Sequence, residues 1–298
     1  MHVYLLEIKN ALNPIIPQGL RQNIRGEHPL RIPDRGGEIG HHGIMTGARA
    51  AAIAALAAFA ALAIGCGPRR APGGMESYLP ADTLAVAGVR LDRLRASPLY
   101  PKLPPVAGAM LAPLHEASYV LVAVSGKYLV EIARGNFTQA PPGAVLVDRT
   151  LALGGSQAAV RAALAQHRAG GAAPTDLLAH AGNGTIWIVA RGAATLPVTG
   201  NAANLNRLIH ETEFAATDLT LARQVTFEFT GFCRTPDRAR VFEENLRAIF
   251  SLAAAAVRQP DLAAVLQSAD VRRDNMTVHA TLSAGDDAAA RLLDLAAK

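Results

Sequence analysis

Apolar positions along this chain follow two rhythms. A period of two, the mark of a half-buried strand, runs through Thr83–Leu91, through Tyr119–Val124 and Tyr128–Ala133 on either side of Ser125-Gly126-Lys127, and through Thr150–Leu153 and Thr185–Ala190. It returns over Asp218–Phe232, with a turn near Arg223-Gln224, and over Val271–Leu282. A helical period marks Gln157–Gln166, with Ser156 as its N-cap, and Pro236–Val257, where Val241, Leu246, Ile249, Phe250 and Leu252 supply apolar positions and Pro236 suits the first turn. Shorter helices are predicted at Ser97–Leu103 in the proline-interrupted stretch Leu94–Leu114, around Asn204–Glu211, at Leu262–Gln267 and at Asp286–Ala297. The connection at Ser125-Gly126-Lys127 suits an antiparallel hairpin.

Strand, helix, paired strands and helix recur in both halves, 78–182 and 183–298. The expected fold class is therefore α+β, with antiparallel sheets covered on one face by amphipathic helices. The units TLALGGSQAAVRAAL and FTGFCRTPDRARVFEENLRAI could occupy matching places, so two similar lobes from an internal duplication are expected. Pro141-Pro142-Gly143 reads as a loop.

The most informative stretch begins at Met45 and reads MTGARAAAIAALAAFAALAIGC. Arg49 gives a positive start, Ala50–Ile64 is apolar and uncharged, and small residues precede Cys66. This resembles the lipobox signal of bacterial lipoproteins, from which it departs at Ala63, where that family usually has a larger aliphatic residue. The resemblance implies cleavage between Gly65 and Cys66 and acylation of the Cys66 thiol. Domains would then be a non-native extension at 1–44, a signal peptide at 45–65, a lipidated cysteine and tether at 66–77, and the two lobes. An uncleaved anchor and an ordinary secretory signal are the alternative readings of the same residues. The start YLPADTLAVAGVRLDRLRASPLY is similar in style to that of several uncharacterised exported bacterial domains, and names no activity.

Two acyl chains, at roughly 0.8 kcal/mol per buried CH₂, hold a protein on a bilayer almost permanently. Gly67, where many inner-membrane lipoproteins have aspartate, points to the outer membrane, with the domain facing the periplasm. The polar residues before Met45 suit translation starting there. A metal-binding tail of His28, His41 and His42 would match no established ligand spacing.

Composition narrows the function classes. Half the residues are apolar and 5% aromatic, enough for a packed aliphatic core. With residues 1–65 set aside, 23 basic residues face 20 acidic ones, spread with no basic stripe, which argues against a nucleic-acid partner. The two cysteines would suggest a disulfide in an exported chain, but an acylated Cys66 leaves Cys233 alone, as a buried small hydrophobe beside Phe229, Phe232 and Val241.

No catalytic constellation stands out. Gly154-Gly155-Ser156 lacks the lysine and spacing of a phosphate loop and reads as a tight turn with a cap. His210-Glu211 has Phe214 where a zinc helix of the HExxH type needs its second histidine. His115 and His167 read as surface groups, and Asp286-Asp287 as carboxylates complementing a helix N-terminus. Trp187 is expected in the core or on a sheet face. An enzyme would require His180, His210, Glu211 and Asp218 to converge in a cleft. No cofactor or metal is implied. The leading expectation is a tethered, non-catalytic envelope protein with a protein partner; the alternative is a small-ligand-binding module with a pocket between the lobes lined by Trp187 or arginines.

Overall fold

The computed structural model describes residues 74–103, 105–171, 173–194 and 209–296. Gly65, Cys66 and the whole signal segment, His28, His41 and His42, and most of the helix expected at Asn204–Glu211 lie outside the described residues.

Ten strands form one antiparallel sheet in the order β4-β5-β3-β2-β1-β6-β7-β8-β10-β9. They are β1 Thr83–Arg90, β2 Ala117–Ser125, β3 Leu129–Gly135, β4 Ala144–Asp148, β5 Leu151–Gly155, β6 Ile186–Arg191, β7 Thr212–Leu221, β8 Gln224–Cys233, β9 Asp270–Asp274 and β10 Thr277–Gly285. The helices are α1 Leu91–Ala96, α2 Pro105–Leu111, α3 Gln157–Arg168, α4 Thr175–Leu178, α5 Pro236–Ala256, α6 Pro260–Gln267 and α7 Asp286–Ala296. Short 3-10 turns occupy Met75–Tyr78, Tyr100–Lys102 and Ala112–Leu114.

The two expected lobes are not separate bodies. β1 pairs with β6, Gly88 opposite Trp187, so the halves share one hydrogen-bonded ladder. Counting outward from that pair, each half places its first, second, third, fifth and fourth strands in the same order.

Several elements differ from expectation. Helix α1 starts directly after β1, ahead of the Ser97–Leu103 segment, because Leu91 and Leu94 turn into the core at helical spacing. The single strand expected over Val271–Leu282 is a hairpin, broken where Asn275 adopts φ 50. β4 was not expected; it pairs at the sheet edge with β5. On α5 the buried stripe is Ala239, Phe242, Leu246, Phe250 and Ala254, whereas Val241, Ile249 and Leu252 face out, the last at 70% exposure. Ser156 and Thr235 cap α3 and α5 by accepting from the N–H groups of Ala159 and Arg238.

Directly opposed strand residues share a face, which sorts the core into two layers. One face carries Val86, Leu121, Ile132, Leu153, Trp187 and Val189, covered by α3, α4 and the Met75–Tyr78 turn. On the other, Val89, Val122, Ile188, Val225 and Ala284 pack with α1 and α7, and Phe227 and Leu282, two residues on from the last pair, pack with α5. Helices thus line both faces of the first half. The second half matches the expected one-sided cover.

No helix among the described residues is long and apolar enough to cross a membrane.

Candidate functional site

Among the described residues no helix packs on the Trp187 face of β7, β8 and β10, although Ala216, Asp218 and Thr230 on it are buried. Registers place Asp218, Glu228 and Thr281 in one row, Ala216, Thr230 and His279 in the next, and Phe214, Phe232 and Thr277 in a third. Thr220 and Thr226 form a fourth row with Ser283. The equivalent strands of the first half present Val130, Ile132, Leu151 and Leu153 here, beneath α3. Apolar residues recruit a helix there; hydroxyls and carboxylates leave this half to water or to a polar partner.

Asp218 is 6% exposed, directly opposite the half-buried Glu228. Burial raises the proton affinity of both carboxyls, and the charge of Asp218 raises that of Glu228 further. For Asp218 the rise is opposed by bonds to the Gly184 and Asn183 N–H groups and by Arg90 and Arg93. Like charges directly opposed in a sheet are unfavourable, so this pair costs stability rather than supplying it.

Further along the face, Thr230 Oγ1 lies 2.9 Å from His279 Nδ1. Beside the third row His180 packs at a tilt against Phe232 and Phe214, with ring centroids 4.4 and 4.9 Å away. Burial lowers the proton affinity of His180, against the pull of Asp176 and Glu213. Arg191 lies over the Phe214 ring and pairs with Asp176. The open face therefore runs from a carboxylate pair to an aromatic corner, with hydroxyls between.

Of the four residues that an enzyme would have to bring together, none hydrogen-bonds another. Asp218 holds a loop, and His180 lies among aromatic rings. His210 Nε2 meets the Ala194 carbonyl at 3.0 Å, and Glu211 pairs with Arg238. Among the described residues no group of three or more His, Cys, Asp or Glu could hold a metal ion.

Trp187 lies in the core, 1% exposed. His167 is more than a surface group: it stacks on Tyr78 at 4.1 Å, and its Nδ1 lies 2.8 Å from Ser77 Oγ. The Ser77 hydroxyl donates to the Gly74 carbonyl, so the imidazole N–H donates to Ser77, and the pair ties the 3-10 turn to α3 rather than forming a nucleophile and base. Nδ1 of His115 lies 3.3 Å from the Ala112 carbonyl. Cys233 is free and buried, though Val241, expected beside it, is exposed. Asp286 and Asp287 start α7 and also bind Lys102, at 2.6 Å each.

Sequence reasoning missed Glu228, His279 and Thr230 as members of one face. The alternation within each strand was visible, but the registers that align them were not.

No known protein family matches this chain, and no curated protein does. Among solved structures it is similar to crystal form III of TP0453, with a TM-score of 0.46 and 6% identity over 76% of this chain and 100% of that one. Crystal form I of TP0453 gives a TM-score of 0.39 and 6% identity over 77% and 100% of the two chains. Both scores are too low to establish a common fold, and at this identity neither carries a residue across.

Proposed function

We propose that this chain is a lipid-anchored, non-catalytic protein of the bacterial envelope that binds a small polar ligand on the uncovered face of β7, β8 and β10. One observation carries the binding reading: no described helix lies over the Trp187 face of β7, β8 and β10, where Glu228, His279 and Thr281 reach solvent around the buried Thr230. Carboxylates and hydroxyls in register offer hydrogen-bond acceptors and donors, and the hydroxyl that lies beside an imidazole on this face, Thr230 at 2.9 Å from His279 Nδ1, is itself buried.

Anchoring rests on the signal-like segment. Residues 1–44 are an extension, 45–65 the export signal, and Cys66 the lipidated residue of a tether that ends at 77, on the periplasmic side of the outer membrane. The common strand order of the halves favours their descent from one duplicated unit.

Mass spectrometry of the mature N-terminus and labelling with a palmitate analogue test the anchor. Label on the wild type and none on Cys66→Ser is the expected result; equal label on both removes it. Binding is tested by thermal shift against neutral sugars, amino acids and polyamines. One class should raise the melting temperature of the wild type and of Thr281→Ser but not of Thr281→Arg, and a flat response to all classes would overturn the binding reading.

A further inference from the structure

The sheet ends in two open edges, β9 on one side and β4 on the other, and the two are built differently. On β9, Asp270, Arg272, Arg273 and Asp274 all reach solvent, and only Val271 is buried. Arg272 pairs with Asp270, and Arg273 with Glu243 of α5. Charges of this kind protect an edge, because a strand added there would have to strip them of water.

β4 has no such protection. It reads Ala-Val-Leu-Val-Asp, and its one charge, on Asp148, is taken up by the N–H and hydroxyl of Thr150. Val145 and Val147 are among the six large apolar side chains that stand exposed among the described residues, so two of the six fall on this five-residue strand.

The backbone of β4 is open as well. The Ala144 N–H turns back to the Pro141 carbonyl at 2.9 Å, so residue 144 directs its polar groups away from β5. Alternate residues of a strand point the same way, which puts the Leu146 N–H and carbonyl on the outer side, where no further strand lies. A bulge between Leu146 and Asp148 inserts Val147 and ends the regular ladder to β5.

We propose that β4 is a docking edge for a second copy of this chain, with the two β4 strands pairing antiparallel about a two-fold axis at Leu146. In that register the Leu146 N–H of each copy donates to the Leu146 carbonyl of the other. Val145 of each copy lies opposite Val147 of the second, so the exposed valines cover one another across the seam. Ala144 falls opposite Asp148, and no like charges meet. The strand is thus its own complement, which favours a second copy over an unrelated peptide. One patch serves both copies, and the charged β9 edges keep the pairing from running on into a filament. This seam is independent of the lipid anchor and of the polar face on β7, β8 and β10.

Five residues are few beside the roughly 20–30 a side of a standard interface, so the pair forms reversibly. Sedimentation equilibrium of the full chain in density-matched detergent reads it. The wild type should pass from monomer to dimer as concentration rises, and stop there. Val145→Lys puts an ammonium into the seam and should hold the chain monomeric. Leu146→Pro removes an N–H that no strand of the same chain uses and should do the same. Far-ultraviolet circular dichroism and thermal melts check that both variants keep the fold, and Val145→Lys, altered only at an exposed side chain, carries the test if Leu146→Pro does not fold. Arg272→Ala on the opposite edge and Leu252→Ser on α5 should leave the dimer intact. A wild type that is monomeric at every concentration it tolerates, a dimer that survives in folded Val145→Lys, or one lost in Leu252→Ser overturns the proposal.

Discussion

The indole Nε1 of Trp187 donates to the Tyr119 hydroxyl at 2.9 Å, with both rings buried above Gly88. Gly88 makes this possible, since a Cβ there would overlap the indole ring and the phenol oxygen. The bond links β6 to β2 across β1, between the two halves of the sheet.

Tyr119→Phe should cost about 1–3 kcal/mol, because it leaves a buried indole N–H without its acceptor. Gly88→Ala should cost a similar amount, about 1–3 kcal/mol, through overpacking. Urea unfolding of both variants checks this, and a change below a few tenths of a kcal/mol in either would contradict the geometry.

Burial pushes the Tyr119 hydroxyl up to about 12, against the lowering effects of the Trp187 bond and of Arg90. A raised folded value means that the associated stability is whole below the unfolded tyrosine value of about 10 and drains away as pH rises toward the folded one. The loss across this window is about 2–3 kcal/mol, at 1.36 kcal/mol per unit. Stability measured against alkaline pH should fall more gently in Tyr119→Phe, and ultraviolet titration of that variant should lack the last tyrosine ionisation seen in the wild type.

Cys233 is 4% exposed, and burial and Glu211 raise its thiol while Arg238 opposes the rise. The folded chain should react slowly with a thiol reagent at neutral pH, and the unfolded chain rapidly. Equal rates would place this sulfur at the surface.

The cap of α3 offers a cleaner local test. Ser156→Ala should lower stability by about 1 kcal/mol and Ser156→Gly by only a few tenths, because glycine suits the cap backbone. Thermal melts of the two variants decide it.

How much of this was legible in the sequence differs from element to element. The β2–β3 hairpin could be read because strict alternation flanks a glycine-bearing turn. β4 could not: Val145 and Val147 are 52% and 37% exposed, so its apolar residues report no core. Helix α5 carries two apolar stripes, and only the packing of Phe242 on Phe229 and of Phe250 on Phe227 chooses between them. The turn Asp274-Asn275, by contrast, used residues that favour hairpins and was there to be found.

Within the candidate site the same division holds. Trp187 was legible as a core or sheet-face residue from its aliphatic neighbours. The bond from Asn183 to Asp218 was not, since Asp218 is 35 residues away and reaches it only through the register of β6 and β7. Long-range register is set by tertiary packing, which no local window records.

The β1–β6 seam has a consequence for anyone who would cut this chain in two. Severed before residue 183, each fragment would bear a raw apolar selvedge along the line where its missing neighbour lay, ready to seize any other strand. Neither fragment is then a natural unit of handling, and re-annealing of the two pieces would compete with clumping from the outset.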